Sequence, residues 1–79
     1  PMLGIMAALA GNPAILGSDI RIKENIVPDG KLKEHNAYIF NYIGDDTKYR
    51  GVIAQEVEQT HPEAVIEIGG IKHVDYSLL

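Results

Sequence analysis

The run Ala64-Val65-Ile66-Glu67-Ile68-Gly69-Gly70-Ile71-Lys72-His73-Val74 decides the fold. Two short apolar stretches flank a Gly-Gly pair. Both glycines accept positive φ, so the pair is a strong signal for a two-residue hairpin between strands 64–68 and 71–74. Upstream, residues 37–43 alternate, with Tyr38, Phe40 and Tyr42 on one face and Ile39, Asn41 and Ile43 on the other. Gly44-Asp45-Asp46-Thr47 reads as a turn, and residues 49–53 as a second strand antiparallel to the first. Between the two strand pairs, residues 54–60 read as a short helix. Ala, Gln and Glu are good helix formers, Ile53 and Val57 stand at i, i+4, and His61-Pro62 ends the run. The expected fold is therefore α+β: a small domain of short antiparallel strands and hairpins with short helices.

Nearer the start, Ser18 to Ile26 reads as a short strand or extended segment, turning helical near Glu24. Val27-Pro28-Asp29-Gly30 reads as a turn, and residues 31–36 as a short exposed helix or loop. Residues 1–17 carry no charge. Met2, Ile5, Met6 and Leu9 there fit a helical stripe that Asn12-Pro13 breaks, which suits a packing helix. No basic region precedes this run, so it does not read as a signal peptide, and the proline interrupts it well short of a membrane span. Asp75 is placed to cap a helical turn.

The chain has 79 residues, no cysteine and a net charge of −4. That length allows one small core and favours self-association or a larger parent protein. Disulfides and thiolate metal sites are excluded, and a nucleic-acid surface built on phosphate contacts is disfavoured by the charge. No cofactor motif is present: Gly69-Gly70 is a turn and not a phosphate loop. His35, His61 and His73 have no metal-ligand spacing, so no metal site is expected.

Five blocks carry a further signal. They are Ser18-Asp19-Ile20-Arg21-Ile22-Lys23, Tyr38-Ile39-Phe40-Asn41-Tyr42, Arg50-Gly51-Val52-Ile53-Ala54-Gln55-Glu56-Val57, Pro62-Glu63-Ala64-Val65 and Val74-Asp75-Tyr76-Ser77. In this order they resemble the peptidase S74, or endosialidase-type, intramolecular chaperone domain of phage tail spikes and fibres. The resemblance runs from Ser18 to Leu79. It implies a domain at 18–79 that promotes homotrimerisation of a tail protein, with residues 1–17 as the end of a shaft or a packing helix. It also implies a piece of a longer fibre polypeptide, found in the virion tail and in the host cytoplasm during assembly, with neighbouring tail proteins as partners. Family members usually continue into a long C-terminal helix, which is lacking before the chain stops at Leu79.

The resemblance casts Ser18 as nucleophile and Lys23 as its base, cutting the Gly17–Ser18 bond in cis and in a single turnover. A desolvated lysine can act as base toward a serine hydroxyl. Its free pKa is about 10.4, so burial or a nearby cation must lower it by several units. In a regular strand, residues five apart face opposite ways, so the pair requires a bend or helical turn between them. Gln55 and Glu56 are candidate hydrogen-bond partners. Two other readings are a permanently retained, uncleaved domain of a tail or neck protein, and an auto-processing trimerisation domain of a membrane-tethered cellular transcription factor.

Overall fold

The computed structural model describes residues 14–79; the stripe from Met2 to Leu9 lies outside them. The described residues form an α+β fold with two three-stranded antiparallel sheets, one α-helix and three single 3-10 turns. Strands β1 (Ile15–Gly17), β6 (Ile71–Asp75) and β5 (Val65–Ile68) make the first sheet, in the order β1-β6-β5. Strands β2 (Lys23–Leu32), β3 (His35–Tyr42) and β4 (Tyr49–Gly51) make the second, in sequence order. Helix α1 (Ala54–Thr60) follows β4.

The β5–β6 hairpin turns at Gly69-Gly70, with Ile68 opposite Ile71. Their φ values of 59° and 80° are those a two-residue turn with both central residues left-handed requires. Helix α1 ends where His61 adopts ψ 64° before Pro62, while its N–H still bonds the Val57 carbonyl. Ala54 and Val57 turn inward to meet Val52, Ala64 and Val74 in one core cluster. Ile22, Phe40 and Tyr42 form a second cluster, with Tyr49 packed against it.

Two expectations for the second sheet are corrected. Val27-Pro28-Asp29-Gly30 does not end an element: β2 runs through it with two register shifts. Asn25, at φ 55°, and Gly30, at φ 75°, lie in those shifts. Arg50 on β4 holds the second bulge, donating to the Asp29 carboxylate and to the carbonyls of Asp29 and Lys31. A bulge tolerates turn residues, and Pro28 sits on an edge strand where its missing N–H costs little. Residues 31–36 are neither helix nor long loop. They form the end of β2, a tight turn at Lys33-Glu34 and the start of β3, with Leu32 opposite His35.

Candidate functional site

Ser18 leaves the first sheet just after β1. Its N–H donates to the Lys72 carbonyl at 3.0 Å, and its own carbonyl accepts from Ala54 N–H, at the start of α1, at 2.8 Å. The next residue, Asp19, is fully buried. Its carboxylate accepts from the Arg21 amide and guanidinium, the Gln55 amide and the Lys72 N–H. Arg21, with these other donors, holds the Asp19 carboxyl well below the usual carboxylate range against the opposing effect of burial. This anchor caps a 3-10 turn at Ile20–Ile22, in place of the strand expected there. Gln55 completes the clamp by accepting from Ile20 N–H.

That turn brings the side chain of Lys23 inside. Ser18 and Lys23 are 1% and 5% exposed, so both are removed from water. The Lys23 ammonium donates to the Val52 carbonyl and lies 4.0 Å from the centre of the Phe40 ring. Burial pulls its pKa down to about 7, although Asp19 and Glu56 act in the opposite direction. The shift favours the neutral amine, the form that a base requires.

No hydrogen bond joins Ser18 directly to Lys23. The two meet through Val52 and Tyr76. The Ser18 hydroxyl stands 3.4 Å from the Tyr76 hydroxyl, which accepts from Val52 N–H at 3.0 Å, while Lys23 holds the Val52 carbonyl.

Gly17 supplies the carbonyl on the other side of the junction. The Tyr42 hydroxyl donates to it at 2.6 Å. Burial pushes the Tyr42 pKa further above its ordinary value, so this hydroxyl keeps its proton at neutral pH. The alternation of residues 37–43 puts Tyr38, Phe40 and Tyr42 on one face as core or subunit interface; Phe40 and Tyr42 are buried and Tyr38 is half-buried. It did not reveal that Tyr42 carries a polar group to the main chain. A cleft of about 450 Å³, lined by Leu16, Phe40, Tyr42, Tyr49 and Tyr76 among others, opens beside this carbonyl-bearing segment.

The peptidase S74 family, described as chaperone of endosialidase, matches residues 18–66. The chain belongs to this family. No curated protein and no solved structure matches it. The match to the endosialidase chaperones begins at Ser18 and takes in β2 to β4, α1 and the start of β5.

Elsewhere in this chaperone-family chain, Glu56 accepts from the Tyr38 hydroxyl at 2.7 Å, on the exposed side of β3. His73 is buried with Nδ1 2.9 Å from the Ile71 carbonyl. No metal-ligand spacing is present in the sequence, yet folding gathers Glu34, His35 and His61, with one donor atom from each within 4.8 Å of the others. Among the described residues, no helix is long and apolar enough to cross a membrane.

Proposed function

We propose that residues 18–79 are the intramolecular chaperone of a phage tail spike or fibre, promote homotrimerisation of the parent chain, and cut the Gly17–Ser18 bond in cis. The observation that carries the cleavage reading is the Gly17 carbonyl bonded to Tyr42 beside a buried serine and a lysine of lowered pKa.

The neutral Lys23 amine takes the proton of the Ser18 hydroxyl after leaving the Val52 carbonyl. Oγ attacks the Gly17 carbonyl carbon through a five-membered ring, and the oxyanion forms where the Tyr42 hydroxyl already donates. The C–N bond breaks as the Ser18 nitrogen takes that proton back from the Lys23 ammonium, leaving an ester and a free amine. Water from the neighbouring cleft then hydrolyses the ester to the Gly17 carboxylate and the Ser18 hydroxyl. Direct attack by water, assisted by the same groups, gives the same products. Loss of the chaperone after assembly would leave a fibre that cannot easily refold once unfolded, a stability of kinetic origin.

One observation favours a second reading, a retained structural domain: Lys23 is engaged with Val52 and not with Ser18. Denaturing intact mass spectrometry of the freshly expressed parent protein separates the two. A fragment beginning at Ser18, absent in Ser18→Ala and Lys23→Ala, supports self-cleavage. A full-length wild type, unchanged over days, supports the retained domain. A monomeric parent protein in solution removes the assembly role from both.

A further inference from the structure

The turn between β2 and β3 and the end of α1 meet at a group of side chains that the cleavage reading does not use. His35, the first residue of β3, is 7% exposed, and its Nε2 is buried with no hydrogen-bond partner among the described residues. A buried imidazole nitrogen left without a partner is costly and calls for an explanation. The His61 ring stands edge-on to it, with ring centres 4.8 Å apart. His61 Nε2 lies 3.1 Å from Glu34 Oε1, and its Nδ1 lies 3.0 Å from the Thr60 hydroxyl.

We propose that Glu34, His35 and His61 form a binding site for a divalent transition cation of the zinc type. Two imidazoles and a carboxylate are a donor set that Zn²⁺ accepts, with the fourth position left to water. A tetrahedral site with metal–ligand bonds of about 2.1 Å has ligand–ligand edges of about 3.4 Å. The Glu34–His61 pair already stands near that spacing, and all three donors fall within 4.8 Å. Glu34 and His61 are accessible enough to close the rest by side-chain rotation, while His35 is fixed by its burial. Thr60 orients the His61 ring through the nitrogen not used for the metal, as outer partners of ligating histidines do. A polar cleft of about 300 Å³, bordered by Lys31, Glu34, His35, Glu56 and Gln59, adjoins the group. The bound ion would tie the hairpin turn to the helix end, and this proposal stands apart from cleavage.

The test is a thermal unfolding scan of the full chain, freed of metal by chelation, with and without Zn²⁺, alongside calorimetric titration with Zn²⁺. The expected results are one ion per chain and a rise in Tm of roughly 5 °C or more at saturation. Glu34→Gln and His61→Ala should each unfold cooperatively without metal and bind Zn²⁺ at least tenfold more weakly. His35→Ala should do the same if it folds, and His73→Gln should keep the full response. A wild type that shows no rise overturns the site. So does a rise that Glu34→Gln and His61→Ala share in full, which would indicate adventitious binding elsewhere.

Discussion

The Tyr42 hydroxyl donates to the Gly17 carbonyl oxygen, and at 2.6 Å the contact joins the end of β3 to the residue just before Ser18. Tyr42→Phe keeps the ring packed against Phe40 and Tyr49 and removes only this donor. Loss of one oxyanion donor typically costs about a hundredfold or more in rate. Time-resolved denaturing mass spectrometry should show fragments appearing roughly a hundredfold more slowly, with stability reduced by about 1 kcal/mol. An unchanged cutting rate would remove Tyr42 from the reaction.

Lys23 should make stability, and on the proposed mechanism cutting, depend on pH. Its folded pKa of about 7 lies below its ordinary 10.5, so between these values the unfolded chain binds the extra proton. Stability should therefore rise with pH across that window, by at most about 1.4 kcal/mol per pH unit. Tyr42 acts oppositely above pH 10, where the unfolded tyrosine loses its proton before the folded one. Denaturant melts from pH 6 to 11 should peak near pH 10. Lys23→Met should flatten the rising limb, and wild-type cutting should accelerate as pH passes about 7.

Gly51 is packed against the Tyr76 hydroxyl. A Cβ there would stand 2.6 Å from that oxygen and 3.5 Å from the Phe40 ring. Gly51→Ala must push Tyr76 away from both Ser18 and Val52 N–H. The expected cost is about 1–3 kcal/mol, with slower fragment formation. Pairing this variant with Tyr76→Phe in a double-mutant cycle should show non-additive stabilities, and additive ones would mean that the tyrosine yields freely.

Asp19 should make the domain sensitive to acid. Its folded pKa is depressed, so its contribution is complete above its ordinary value of 3.8 and fades as pH falls through the lower folded value. Asp19→Asn removes the charge assistance from the bonds to Arg21, Gln55 and Lys72 N–H and should cost roughly 2–3 kcal/mol at pH 7. Acid titration followed by circular dichroism should find the difference between the two proteins shrinking below pH 4.

Where local chemistry determines structure, the sequence was readable. Gly69-Gly70 supplies the positive φ of its turn from its own two residues, and Pro62 stops α1 wherever the helix packs. At Val27-Pro28-Asp29-Gly30 the turn residues are present, but Arg50, from another strand, keeps the segment within β2. Lys33 adopts φ 55° in a turn that no glycine announces. Ser18 and Lys23 stood out through the order of neighbouring blocks. The partners of Tyr42 and Tyr76 are main-chain atoms of Gly17 and Val52, which carry no residue signature. Glu34, His35 and His61 meet only because the β2–β3 turn reaches the end of α1.

Strand β1 remains anchored on both sides of the question of cutting. Ile15, Leu16 and Gly17 pair with Asp75, Val74 and His73, and the Ala14 carbonyl accepts from Tyr76 N–H. Hydrolysis of Gly17–Ser18 would sever the covalent chain while leaving this ladder in place. The product is a nicked particle, and departure of the upstream part becomes a strand-peeling event with its own barrier. Native mass and sedimentation would still report one body where a denaturing gel reports two.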